Sequence, residues 1–176
     1  MKRLLLFFLI ISCNQSNDIS IDPETHLLPY PNQIFLQKKT INLGKGLNVS
    51  NGIYSSYLKD QLLLNNIPSN KGVKVIFKKS KLDTLGDEGY QLVVKNNKIS
   101  ILSNTKAGTF YGIQTLIQLT KLGVVQELEI IDKPRFKWRA YMLDEGRYFQ
   151  GKEVVKSLLN EMAHLKMNVF HWHLTD

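Results

Sequence analysis

Forty residues, KWRAYMLDEGRYFQGKEVVKSLLNEMAHLKMNVFHWHLTD (137–176), constrain this chain more than any other stretch. Residues 138–143 are mostly apolar and run into a charged turn, Asp144-Glu145-Gly146-Arg147. Val154, Val155, Leu158, Leu159, Met162 and Leu165 then recur at three- and four-residue intervals with Lys and Glu between them, which predicts an amphipathic helix. Residues 168–174 read as a second apolar strand. Two strands joined through a helix of this length form a βαβ unit, so the strands should be parallel and the crossover right-handed.

The polar residues of this unit fall together. Asp144, Glu145 and Arg147 follow the first strand; His171, His173 and Asp176 lie in and just after the second. Where βα repeats build a barrel, active sites gather at the carboxyl ends of the strands, so these groups should share one rim. His171 and His173 are two apart on a strand and share a face, with Trp172 directed the other way. A His-x-His pair at a strand end is also a spacing used by zinc and binuclear barrel hydrolases, which draw further ligands from other strands. The aromatic setting of Phe170 and Trp172 argues against a metal here.

WRAYMLDEGRYF, a helix, and KMNVFHWHLTD resemble the opening of the catalytic barrel of the β-N-acetylhexosaminidases, glycoside hydrolase family 20. Upstream, EGYQLVV (88–94), GTFYGIQTLIQL (108–119) and DKPRFKWR (132–139) resemble that family's first domain and its junction with the barrel. The resemblance spans residues 27–176, and it departs from the family at Gly146 and Tyr148, where Ser and His are common. It implies an α+β domain over 27–131, followed over 132–176 by the first βαβ of a (β/α)8 TIM barrel.

The same resemblance implies removal of terminal β-linked N-acetylhexosamine (GlcNAc or GalNAc) from glycans or chitooligosaccharides by a substrate-assisted retaining mechanism. In that mechanism the 2-acetamido oxygen attacks the anomeric carbon, an Asp orients the acetamido group and a neighbouring Glu protonates the leaving oxygen. The family's Asp-Glu pair lies beyond the HWHLTD strand, so no residue of this chain is assigned as catalytic. Arg147 corresponds to the arginine that binds sugar hydroxyls; Asp144, His171, His173 and Asp176 correspond to its supporting network. The bland reading of Arg147 is a surface ion pair with Glu145 or Glu153. The resemblance implies no cofactor and no metal.

The rest of the chain predicts a small mixed domain. Strands are expected at 34–36, 39–42 and 73–77, and a helix over 54–64 through Tyr57, Leu58, Leu62 and Leu63, stopped by Pro68. Residues 90–94 and 99–102 flank Asn96-Asn97, a pair that tolerates positive φ, so a hairpin is expected. A second helix is expected over 105–121, with Phe110 and Tyr111 packed in the core. Residues 132–136, with Pro134, should form the hinge into the barrel.

The amino end reads as a leader. Lys2 and Arg3 precede eight consecutive apolar residues, Leu4 to Ile11, too few to span a bilayer. Ile10-Ile11-Ser12-Cys13 resembles a bacterial lipobox, so residues 1–12 read as a lipoprotein signal peptide, Cys13 as the lipidated residue and 13–26 as a tether. The expectation is an exported lipoprotein anchored through Cys13; a plain secretory leader is the competing reading. Cys13 is the single cysteine, which excludes an intrachain disulfide. The net charge of +8 comes from scattered lysines with no nucleic-acid motif, so nucleic acid is not an expected partner.

A closed barrel needs about 250 residues, while 138–176 supplies 39. The sequence therefore reads as an inactive fragment of a hexosaminidase. The alternative from another class is a lipid-anchored, non-catalytic carbohydrate-binding or interaction module.

Overall fold

Alternating apolar residues build a six-stranded sheet in a computed structural model that describes residues 26–121 and 123–175. Its strands are β1 (Gln33–Asn42), β2 (Leu47–Val49), β3 (Val73–Lys79), β4 (Tyr90–Lys95), β5 (Lys98–Ser103) and β6 (Val124–Asp132), in spatial order β1-β6-β4-β5-β3-β2. β4 and β5 form the expected hairpin; Asn96 and Asn97 both sit at positive φ (52° and 58°), as a two-residue turn of this hand requires. The two short strands expected at 34–36 and 39–42 are one strand, whose register against β6 shifts between Leu36 and Thr40. Inside that irregularity Glu127 is buried, accepting from the Asn96 amide at 2.8 Å and pairing with Lys39 at 3.4 Å.

Two helices pack on the sheet. α1 (Ser55–Leu64) ends well before Pro68: Asn66 takes φ 57°, and the Asn66 and Ile67 amides donate to the Leu63 and Leu62 carbonyls (2.9 and 2.8 Å). This double bond closes the helix, so asparagine, not proline, is its stop. α2 (Lys106–Thr120) lies at the centre, with nearly every residue from Gly108 to Thr120 buried. It sits so close to the sheet that a Cβ on Gly108 would come 2.3 Å from the Gly89 carbonyl oxygen. One on Gly112 would come 2.7 Å from the Ile101 side chain, so neither position accepts a larger residue without displacing its neighbours. Phe110 packs against the rings of Tyr54 and Tyr57 (5.4 and 5.5 Å), and Tyr111 is buried beside it, in keeping with a core role.

The βαβ unit follows. β7 (Ala140–Asp144) and β8 (Val169–His173) are parallel and in register, joined by α3 (Lys152–His164). The helix is less submerged than its apolar spacing suggests: Val155 and Met162 are buried, while Val154 and Leu159 are exposed.

Two ion pairs, one half-buried and one largely buried, hold this unit to the first sheet. The Arg139 guanidinium grips Glu88 with two bonds (Nη1 to Oε2 3.1 Å, Nη2 to Oε1 3.0 Å) and donates through Nε to the Lys166 carbonyl (2.7 Å). Asn168 Nδ2 also donates to Glu88 (3.2 Å). Lys166 Nζ donates to Asp132 Oδ2 and to the Tyr90 hydroxyl, both at 2.9 Å. Asp132, expected in a hinge, is thus the last residue of β6 and half of an anchor. A third link comes from α2: Gln118 donates to the carbonyls of Leu28 (2.9 Å) and His164 (3.2 Å). Among the described residues every buried side-chain polar atom has a partner, and no helix is long and apolar enough to cross a membrane.

This seam has a pH signature. Hydrogen bonds from Arg139 hold the Glu88 carboxyl below its ordinary value, against the opposing effect of burial. A carboxylate depressed on folding adds stability that is complete above its unfolded value, near 4.5, and is lost as pH falls through the folded one. Glu88→Gln should lower stability at neutral pH by about 2 kcal/mol and flatten the decline below pH 5. Denaturation midpoints of both proteins between pH 7 and 3 test this; parallel curves would refute it.

Candidate functional site

The carboxyl ends of β7 and β8 lie side by side because Asp144 pairs with His173 in the parallel register. Both Glu145 and Gly146 donate their amides to the His173 carbonyl (2.9 and 3.2 Å), so the turn after β7 folds over the end of β8. The polar residues sort to two sides of this turn, as alternation along a strand requires.

On one side, Asp144 is the hub. Its Oδ1 lies 2.9 Å from His173 Nδ1 and accepts the Arg147 amide at 3.1 Å, while Oδ2 lies 3.5 Å from Arg147 Nε. The bond to His173 holds the Asp144 carboxyl below its ordinary range, helped by the Arg147 amide and the Arg147 guanidinium. Asp144 is therefore an acceptor that orients the imidazole and the arginine. The Arg147 side chain itself is 81% exposed, projecting from the rim. Its ion-pair partner is Asp144, which corrects the expectation of Glu145 or Glu153; Glu153 pairs with Lys156 instead (3.1 Å).

On the other side, Trp172 Nε1 donates to Glu145 Oε2 at 2.6 Å, and Glu145 Oε1 accepts the amides of Gln150 and Gly151, both at 3.0 Å. Glu145 is buried, unlike the residues around it. The Phe170 and Trp172 rings stand 6.0 Å apart on this side. His171, opposite Met142 in the ladder, is exposed. The structure thus joins Asp144, Arg147 and His173 in one bonded group and leaves His171 outside it. Asp176, Cys13, the leader (1–12) and nearly all of the tether (13–26) lie outside the described residues. Among the described residues no three His, Cys, Asp or Glu side chains converge to hold a metal.

Glu145 was legible in the sequence only as a charge beside Arg147. The signal that finds it is adjacency: two consecutive acids at the end of a strand face opposite ways, so one of them must meet the Trp172 side.

Two family profiles match the chain in sequence. Glycosyl hydrolase family 20, domain 2, covers residues 24–133, and the Glycosyl hydrolase family 20 catalytic domain begins at 136 and runs to 176. A beta-hexosaminidase of Vibrio vulnificus is 31% identical over 159 residues, 86% of this chain and 18% of that protein. The structure resembles a family 20 exo beta-N-acetylglucosaminidase of Vibrio harveyi, solved in complex with N-acetylglucosamine (TM-score 0.71, 35% identity, 85% of this chain and 25% of that one). It also resembles a beta-N-acetylhexosaminidase of Bacteroides fragilis (TM-score 0.72, 29% identity, 86% and 33%). The chain spans between about a fifth and a third of the length of these relatives. With one profile covering more than half of its residues and the second following directly, this chain belongs to glycosyl hydrolase family 20.

Proposed function

We propose that the protein serves as a β-N-acetylhexosaminidase, releasing terminal N-acetylhexosamine from glycans, and that Arg147 binds the terminal sugar. The observation that carries this reading is the Asp144–Arg147–His173 group, at the carboxyl ends of two parallel strands. The N-acetylglucosamine bound in the Vibrio harveyi relative supports the substrate class.

The division of labour is then as follows. Residues 27–131 form a supporting domain, and 132–176 begin a (β/α)8 barrel whose remaining strands close the site. Arg147 presents a rigid fork of donors to vicinal hydroxyls, while Asp144, anchored by His173, fixes the arginine's backbone. His171 and Asp176 belong to the surrounding network. Hydrolysis is retaining and substrate-assisted: the 2-acetamido oxygen attacks the anomeric carbon, and an Asp-Glu pair outside these residues orients that group and protonates the leaving oxygen. The protein is exported and held to a membrane through lipid on Cys13.

Three outcomes test this reading. In the protein as its gene encodes it, Arg147→Lys keeps the charge but loses the fork. Transition-state binding should weaken by about 2–4 kcal/mol, whereas loss of a solvent-screened surface ion pair with Asp144 should change it little. Comparison of kcat/KM at equal thermal stability decides; a change under about threefold returns the residue to the ion-pair role.

A polypeptide of these 176 residues alone has a two-stranded second sheet with Trp138, Met142 and Trp172 exposed. It should aggregate and show no turnover of a chromogenic N-acetylglucosaminide. Measurable hydrolysis by that polypeptide would place the acid within it.

Expressed in a bacterium, the protein should take up labelled fatty acid and partition into detergent, and Cys13→Ser should abolish both. Unlabelled wild-type protein that remains in the aqueous phase would remove the anchor.

A further inference from the structure

We propose that Glu145 is a positioning residue: one buried carboxylate closes the loop that displays Arg147 and so sets where the guanidinium meets its ligand. The proposal rests on the substrate-binding reading of Arg147 given above. Residues 145–151 leave the end of β7 and return at the start of α3. Glu145 Oε1 accepts the amides of Gln150 and Gly151, the last two residues of that excursion, and so joins its beginning to its end. Oε2 accepts the Trp172 indole, which ties the closed loop to β8. Between its two ends the side chains of Arg147, Tyr148 and Phe149 project into solvent.

A long side chain that is four-fifths exposed has little packing of its own to define it. Its backbone must be fixed from both sides. Asp144 does this from the front, through the Arg147 amide, and Glu145 from behind, through the return of the loop. The competing role for Glu145 is purely structural, a negative charge placed at the amino end of α3. The two roles differ in one respect. A structural defect lowers activity whether or not residue 147 is an arginine, whereas a positioning defect acts only through it.

Glu145→Gln keeps the shape, but its single oxygen can serve the loop amides or the indole, and its amide group must face the other donor. In the protein as its gene encodes it, amide hydrogen exchange at Gln150 and Gly151 should speed up in this variant. Its kcat/KM on a chromogenic N-acetylglucosaminide should fall about tenfold, mostly through KM, and less than about twofold when Arg147 is already alanine. Trp172→Phe removes the indole donor and should shift both readouts the same way.

An equal loss in the arginine and alanine backgrounds overturns the proposal, as does unchanged exchange at the two amides. Wild-type protein with no turnover would instead defeat the functional reading, and the exchange measurement would then decide the clamp by itself.

Discussion

The structure depends on a seam in which charge runs one way. Both carboxylates, Glu88 and Asp132, come from the first sheet and its approach; both cations, Arg139 and Lys166, come from the βαβ unit. Desolvating four charges is expensive, so the value of such pairs lies less in net stability than in what they forbid. Shifting β7 or β8 along the seam would part both pairs and strand the buried Lys166 ammonium without its carboxylate. The surroundings agree with this. Burial pushes the Lys166 ammonium below its ordinary value while Asp132 pulls it back, and burial together with Asp132 drives the Tyr90 hydroxyl well above its own. Tyr90 is held in place by Thr115 of α2 (2.6 Å), so the central helix is itself part of the seam.

From that seam outward, each layer fixes the next. The close approach of α2 at Gly108 and Gly112 sets where Tyr90 and Tyr111 stand, and those two hydroxyls meet Lys166 and Arg139. Arg139 also binds the start of β8 through its backbone carbonyl, which accepts the amides of Asn168 and Val169. β8 carries His173, and His173 orients Asp144 at the rim. The rim is thus linked back to the core of the first sheet through hydrogen bonds of Arg139, β8 and His173.

What the sequence disclosed follows the range of the interactions. The Asn96-Asn97 hairpin and the βαβ unit are written in neighbouring residues, and both stand where the pattern put them. β2 is too short to alternate visibly, and β6 breaks its alternation at the buried Glu127, so neither was legible. α1 was given the wrong stop because a local hydrogen-bonded closure at Asn66 acts before Pro68 can. The rim residues Asp144, Arg147 and His173 were found by their place at the carboxyl ends of the two strands and by the family resemblance, whereas alternation alone grouped His173 with His171. The partner of Arg147 was not found, since Asp144, Glu145 and Glu153 all lie within six residues of it and spacing alone does not choose among them. The seam was invisible: Glu88 and Arg139 are 51 residues apart, Tyr90 and Lys166 are 76, and no periodicity spans such distances.

Lys166 does a second thing besides pairing with Asp132. It takes φ 57° just past the end of α3, where the Lys166 and Met167 amides donate to the carbonyls of Ala163 and Met162 (3.0 and 2.8 Å). A left-handed residue in this position is usually glycine; here one lysine both ends the helix and reaches into the first sheet. The length of α3 is thereby counted. Each residue added to or removed from it would turn Lys166 by about 100° and move it about 1.5 Å along the axis, out of reach of Asp132. The helix works as a ruler between the rim and the seam, and variation in length among homologous chains should therefore collect in the loop before α3 and spare the helix.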